Sequence, residues 1–301
     1  MAQSPVDIEV PARLRPVKDE LESEPQPGTQ ARRLLRNASL VTGLVIAVII
    51  VLMSAAAPLI THFDPTAQDP NSVFLQPTLQ HLMGTDQFGR DLFARVLYGG
   101  RYTMVASFLA VCIGLLFGAA SGVIAGFFGG AIEMLIMRVM DLLLAFPGIL
   151  LALAITTILS PGLVSAVIAI GAASVPTYAR VLQAATLRVR GLPYVDAAQA
   201  LGVSRVGIIW RHIVPNVLSQ IVVLGTVWLG TATLWVAALG FLGLGLQPPT
   251  PEWGAILNSG RDYITLAWWI SVFPGVLIAL YVIGVNLIGD GLRDVLDPSL
   301  V

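Results

Sequence analysis

The sequence predicts an all-α, polytopic membrane protein with six transmembrane helices and both termini in the cytoplasm. Three observations carry that prediction. Hydrophobic residues make up 56% of the 301 and charged residues only 12%, whereas a soluble domain carries about a quarter charged residues. Several apolar runs exceed the roughly 18 residues that mark a membrane-spanning helix. Arginine is also unevenly shared between the segments that separate those runs.

The elements follow in order. Residues 1–36 are polar, hold five prolines and both signs of charge, and show no helical or strand period. They read as a disordered cytoplasmic tail, too long and too polar for the n-region of a signal peptide. Residues 37–100 form the first span, Leu40 to Ile60, and an external loop that extends to Arg101. Residues 101–290 form the core, with spans at Tyr102–Phe128, Ile132–Leu159, Leu163–Leu182, Val217–Gly240 and Ala267–Ile288. A cytoplasmic loop, 183–216, interrupts it, and 291–301 form a C-terminal tail. With the amino terminus inside, thirteen of the 17 Lys and Arg residues lie in inner segments and four, Arg90, Arg95, Arg101 and Arg261, in outer ones. Positive residues concentrate on the cytoplasmic side, so both termini and the 183–216 loop are placed there.

Within that loop the stretch Tyr194 to Asn216 is a polar island between apolar runs. Pro193 suits the first turn of a helix over Val195–Leu201 that carries Ala197, Ala198 and Ala200, and Gly202 can end it in the left-handed conformation. Ser204 is an N-cap candidate for a second helix, whose Val206, Ile209, Trp210 and Ile213 share a face at helical spacing. Pro215 is expected to close it, because proline disfavours helical geometry at Val214. The outcome is a helix–Gly–helix knob beside the membrane.

Other features admit a structural and a functional reading. Gly114, Gly118, Gly122 and Gly126 recur every four residues, which strips one face of side chains and lets another backbone approach. Close helix packing is the simpler account; a face that slides during a conformational cycle is the other. Arg138 and Asp141 are three apart and can pair on one helix face. Pro147, Pro176 and Pro274 interrupt their spans and should kink them. The lone Cys112 excludes an intrachain disulfide and reads as a small packing residue.

Covalent chemistry finds no support. The only lysine, Lys18, lacks the glycines of a phosphate-cradling loop. His62, His81 and His212 are isolated from one another, so no metal site is expected, and no G-x-S-x-G elbow has a partner. The chain therefore reads as one that does no covalent chemistry itself and binds no cofactor.

Residues Asp196-Ala197-Ala198, Gly202 and Pro215 resemble the EAA loop of ABC-importer permeases, with Asp196 in place of the usual Glu. His212-Ile213-Val214-Pro215-Asn216 is similar to the H-I-L-P-N of peptide and nickel importers, with Val214 replacing Leu. Gly84-Thr85-Asp86-Gln87-Phe88-Gly89-Arg90-Asp91 resembles the G-T-D-x-x-G-R-D signature of the outer loop in dipeptide, oligopeptide and nickel permeases. Tyr98-Gly99-Gly100-Arg101, Ala125-Gly126-Phe127-Phe128-Gly129-Gly130, Arg138-Val139-Met140-Asp141 and Phe146-Pro147 resemble further family segments in the same order. So do Phe241 to Gly245, Pro248 to Pro251, Trp253-Gly254, Gly289 to Asp294 and Asp297-Pro298. The resemblance runs from about residue 37 to the end and points to the C-type subunit of this permease family.

That resemblance implies a type I ABC-importer fold in the bacterial cytoplasmic membrane. It implies a second, homologous permease, two cytoplasmic ATPases holding ATP and Mg, and an extracytoplasmic substrate-binding protein, with no nucleic acid involved. Coupling to the ATPase falls to Tyr194, Asp196, Ala197, Ala198, Gly202, Val206, Trp210, His212 and Pro215. In this reading Val206, Ile209 and Trp210 pack the knob onto its own spans. The implied cargo is a di- or oligopeptide carried by alternating access. Nickel chelates, glutathione or haem are alternative cargoes for the same machine. An ion-driven secondary transporter would need a carboxylate or an unwound helix pair near mid-membrane, and an intramembrane enzyme would need paired catalytic groups; the spans show neither.

Overall fold

The computed structural model describes residues 37–296; the predicted tail 1–36 and residues 297–301 of the predicted tail 291–301 lie outside them, while 291–296 continue the last helix. Within this range the protein is helical, and no strand forms beyond an isolated bridge between Thr85 and Asp91. The helices are α1 (Ala38–Ala55), α2 (Ala57–Ile60), α3 (Leu92–Phe128), α4 (Gly130–Leu144), α5 (Gly148–Leu159), α6 (Leu163–Arg190) and α7 (Pro193–Ala200). They continue with α8 (Arg205–Ile208), α9 (Val214–Phe241), α10 (Trp253–Gly260) and α11 (Trp269–Leu296). Five stretches are long and apolar enough to cross a membrane, and the bent pair α4–α5 passes the same test taken together, as a broken span or a re-entrant loop.

Several boundaries differ from the sequence expectation, each for a physical reason. The second span begins at Leu92, ten residues before Tyr102, because the Asp91 carboxylate caps it by accepting from the Ala94 amide at 2.7 Å. At 37 residues α3 is about 55 Å long, nearly twice the hydrocarbon thickness, so it carries the 61–91 loop on a rigid post. The fourth span runs to Arg190 rather than Leu182, so residues 183–190 belong to a helix and not to the loop. Arg188 and Arg190 sit in its last turn, where cations complement the helix dipole.

The third span is not one kinked helix. Its halves α4 and α5 meet at 88°. Pro147 lacks an N–H and pushes Phe146 away from helical geometry. Gly148 then presses on Trp235 of α9, so closely that a Cβ would lie 2.5 Å from the indole. Pro176 and Pro274, by contrast, lie inside α6 and α11, which continue past them.

The row Gly114, Gly118, Gly122 and Gly126 is buried and forms the seam between α3 and α6. A Cβ on Gly118 would lie 2.4 Å from Tyr178 Cβ and 2.8 Å from the Val175 carbonyl, and one on Gly122 would lie 2.4 Å from the Ala179 carbonyl. Tight packing is thus what these positions do. Gly118→Leu should force the two helices apart at a cost of about 1–3 kcal/mol or more, the usual range for overpacking. Purified in detergent, that variant is expected to melt several degrees below the parent; an unchanged melting temperature would contradict the seam. Cys112 on the same helix is exposed and is not a packing residue.

Candidate coupling knob and outer hub

The knob is built much as its residues suggest, with one shift of face. Pro193 starts α7, Asp196 lies in its first turn, and Gly202 follows with φ of +77°. The Gly202 and Val203 amides donate to the Gln199 and Ala198 carbonyls at 3.0 and 3.1 Å, closing the helix end. The Ser204 hydroxyl accepts from the Gly207 amide at 3.2 Å and opens α8. From there the chain stays helical to Phe241, so Pro215 does not close the second helix. A single π turn, Ile209–Ile213, explains why: the Val214 amide reaches five residues back to the Ile209 carbonyl. Such a wide turn absorbs a residue without a break, and the Asn216 side-chain amide donates to the His212 carbonyl at 2.7 Å.

The π turn also decides which side chains are buried. Val195, Ala198, Ile208, Ile213 and Val217 pack with Val123, Phe127, Leu182, Ala185 and Val189 of α3 and α6, and Ile209 is half-buried beside them. Val206 and Trp210 do not pack the knob onto its spans: they are 63% and 67% exposed, and Leu201 is 84% exposed. Asp196 and Ala197 also face outward, whereas Ala198 is buried. Tyr194 and His212 lie ring to ring, with centroids 5.9 Å apart. The outward side therefore combines a carboxylate and small alanines with three large apolar side chains. Exposed apolar groups gathered in this way mark an interaction surface.

At the other end, the segment Gly84 to Asp91 is a buried hub. Asp86 is 1% exposed. Its Oδ1 accepts from the Phe88 and Arg90 amides at 2.8 and 3.1 Å, and its Oδ2 from Arg90 Nε at 2.6 Å. Arg95 Nε lies 3.4 Å from the same oxygen, and Arg95 Nη1 donates to the Pro65 carbonyl at 2.9 Å. Asp91 caps α3 with one oxygen and meets His81 Nδ1 at 2.9 Å with the other, so His81 is a partnered group rather than an isolated one. The Thr85 hydroxyl accepts from the Leu75 amide at 2.8 Å and donates to the Ser72 carbonyl. Trp269 of α11 donates to the Thr85 carbonyl at 3.0 Å. The Gly84 amide donates to the His81 carbonyl at 2.8 Å. Gly89 has φ of +70°, and a Cβ there would lie 1.9 Å from the Asp69 carbonyl. Every residue of the signature is used to fold the loop.

A buried carboxylate outside this hub was not singled out from the sequence. Glu252, 1% exposed, caps α10 by accepting from the Gly254 and Ala255 amides, and accepts from the Thr103 hydroxyl of α3, each at 2.9 Å. Burial pushes its carboxyl above the usual carboxylate range, and the three donors oppose that shift. The signal that could have found it is an acidic residue directly before the Trp253-Gly254 helix start. The adjacent Trp253 is fully buried and donates to the Val96 carbonyl at 2.9 Å. Two links thus tie the α9–α11 half of the bundle to α3.

Among the described residues no group of three His, Cys, Asp or Glu side chains gathers as metal ligands. At least five apolar spans, a hydrogen-bonded hub at residues 84–91 and a knob at 193–216 with an exposed apolar face describe a polytopic membrane protein with an interaction surface. The family described as binding-protein-dependent transport system inner membrane component matches residues 114–301, and the N-terminal transmembrane domain of oligopeptide transport permease C matches residues 27–77. The chain belongs to this family of inner-membrane permeases. It is 45% identical over 269 residues to the dipeptide transport system permease protein DppC of Alkalihalophilus pseudofirmus, covering 89% of this chain and 88% of the relative. It is 42% identical to the di/tripeptide permease DppC of Pseudomonas aeruginosa (88% and 89% covered) and 38% identical to the glutathione permease GsiD of Pectobacterium atrosepticum (89% and 90% covered). Among solved structures, the MetNI methionine ABC transporter superposes with a TM-score of 0.56 at 21% identity, covering 67% of this chain and 96% of that one. That likeness establishes the type I permease fold.

Proposed function

We propose that the chain is one of two permease subunits in an ATP-driven importer of short peptides, with the 191–216 knob as the place where ATPase motion enters. The carrying observation is the knob itself: Leu201, Val206 and Trp210 are exposed beside Asp196 and Ala197, on a unit whose inner side is packed onto α3 and α6. A rigid attachment below and an apolar grip above are what a transmitted push requires. The charge asymmetry along the chain supports placing the knob and both termini in the cytoplasm, with the outer hub facing the binding protein. The second permease, the ATPases, the binding protein and the bacterial cytoplasmic membrane belong to the same reading.

Peptide cargo is supported by relatives named for dipeptides and di/tripeptides. The glutathione-named relative fits too, since glutathione is a tripeptide in its chemistry. The test is uptake into vesicles holding both permeases and the ATPases, with the binding protein and ATP. Labelled dipeptide is expected to accumulate, and unlabelled dipeptide to compete better than glutathione, haem or a nickel chelate. Accumulation that survives ATP depletion but stops with an ionophore would instead make this an ion-driven transporter.

A further inference from the structure

Where the knob meets the ends of α3 and α6 it leaves a pocket of about 320 Å3, with apolar walls at Phe128, Val203 and Ile208 and the side chains of Arg190, Gln199 and Arg205 along it. Two guanidiniums line it and no carboxylate does. Arg190 is half-buried and reaches only the Gly126 carbonyl, at 3.4 Å. Arg205 enters none of the ion pairs among the described residues. Glu133, across Gly129 from Arg190, is already engaged by the Gln183 amide at 2.5 Å. A concave, positive seat with apolar walls suits an anionic occupant that carries some apolar surface.

The chain itself holds such a segment. Asp19-Glu20-Leu21-Glu22-Ser23-Glu24 places four carboxylates and a leucine in six residues, ending thirteen residues before Asn37. The start of α1 and the pocket lie at one end of the bundle. The Asn37 side-chain amide donates to Asp294 at 3.4 Å, so α1 begins beside the end of α11. Arg101, in the first third of α3, donates to the Ser54 carbonyl near the end of α1 at 2.6 Å, so the two helices are antiparallel and α3 ends where α1 begins. Gly114 and Gly126 of α3 face Ser174 and Thr186 of α6, so α6 runs parallel to α3 and ends there too. From α1 across α11 and α9 to α6 is three helix spacings of about 8–10 Å, roughly 30 Å. Thirteen extended residues reach about 45 Å, so the segment can arrive.

We infer that residues 19–24 seat in this pocket and cover part of the knob. Their carboxylates meet Arg190 and Arg205, and Leu21 lies on Phe128, which is 37% exposed. One exposed ion pair contributes little. A tethered segment, however, meets its site at an effective concentration of about millimolar, so even a weak seat fills. Gln199 and Arg205 are two residues and one residue from Leu201 and Val206 of the exposed grip. The seated segment therefore crowds the surface assigned above to the ATPase and weakens ATPase binding in proportion to the time it is seated. This competition, unlike the seat, rests on the function proposed above.

The test uses the full-length chain with Cys112→Ala, assembled with its partner permease in membranes that lack the ATPases. Ser23→Cys is combined with Gln199→Cys or, as control, with Asp290→Cys. Asp290 is exposed on α11 beside the start of α1, so a tail without a seat meets it more often than residue 199. A short thiol cross-linker is expected to join 23 to 199 about fivefold faster than 23 to 290, because the seat concentrates the segment at the pocket. Arg190→Glu with Arg205→Glu should erase that preference, and Glu20→Arg, Glu22→Arg and Glu24→Arg in the same chain should restore it. Equal rates, or a preference indifferent to the arginine exchange, overturn the seat. Labelling at residue 199 by a photoactivatable phosphatidylglycerol, equally strong with the tail carboxylates or with their amides, gives the pocket to a lipid headgroup and overturns the seat as well. With ATPases titrated in, the Asp19→Asn, Glu20→Gln, Glu22→Gln, Glu24→Gln chain is expected to bind them about fivefold more tightly than its parent, the consequence of a seat filled about four-fifths of the time. Equal affinity overturns the competition. No ATPase binding by either chain overturns the ATPase reading alone, since the cross-link does not involve it.

Discussion

Gly202→Val is expected to uncouple ATP hydrolysis from uptake while the subunit still assembles. Gly202 holds φ at +77°, and a Cβ there would meet nothing within 4 Å. The substitution therefore brings no clash; its whole effect is backbone strain. A left-handed conformation costs an L-residue about 1–2 kcal/mol, and more when the side chain is β-branched. Since 1.4 kcal/mol is tenfold in an equilibrium, that cost lowers the population of the native knob angle roughly five- to thirtyfold. The strain is relieved by swinging α7 relative to α8, which misdirects Asp196 and Leu201 but leaves the buried anchors Ile208 and Ile213 in place. A graded series separates this cause from bulk. Asn tolerates the left-handed region best among side-chain residues, so uptake should fall in the order Gly202→Asn, Gly202→Ala, Gly202→Val, with ATP hydrolysis falling less. Normal uptake by the Val variant in proteoliposomes would show that the angle at Gly202 does not matter for coupling.

The knob also shows where sequence periodicity stops being informative. Pro193, Gly202 and Ser204 act locally, through φ, a missing donor and a side-chain cap, and each is found in its expected role. The buried face is different. Ile208 and Ile213 are five residues apart, a spacing that suits the π turn between them and not a 3.6-residue period. A helical reading therefore grouped Val206 and Trp210, which face outward, with Ile209 and Ile213, which are half-buried and buried. The same limit governs charges. Arg138 and Asp141 are close in sequence and do not pair, whereas Asp141 and Arg180 are far apart in sequence and do. Arg90 and Arg95 made residues 90–101 read as loop, because nothing in a linear pattern shows that a buried Asp86 neutralises them. The apolar spans were legible because a bilayer sets the shortest run that crosses it, whereas the extra length of α3 and the 88° break between α4 and α5 were not. The hub was legible only as a motif, and its physical reason, one carboxylate serving two guanidiniums and two amides, needed three dimensions.

That hub is where the largest loss of stability is expected. Asp86→Ala leaves Arg90 and Arg95 buried, 3% and 4% exposed, without their counter-charge. It also strips the Phe88 and Arg90 amides of their acceptor. Breaking a buried pair by removing one partner costs about 3–5 kcal/mol, because the remaining charge is left uncompensated. That is a large share of the about 5–15 kcal/mol that holds an ordinary domain folded. The Arg261–Asp262 pair offers the contrast. Its side chains are 59% and 72% exposed, and a surface pair contributes about 0–1 kcal/mol. Asp262→Ala should therefore leave the melting temperature of the purified permease nearly unchanged, while Asp86→Ala lowers it by many degrees and opens residues 61–91 to protease. The damage should begin outside the membrane, since Asp91, His81 and Trp269 join the same hub from the start of α3, the loop and the start of α11. If Asp86→Ala and Asp262→Ala melted alike, the outer signature would have to be explained by contact with another protein and not by the folding of its own loop.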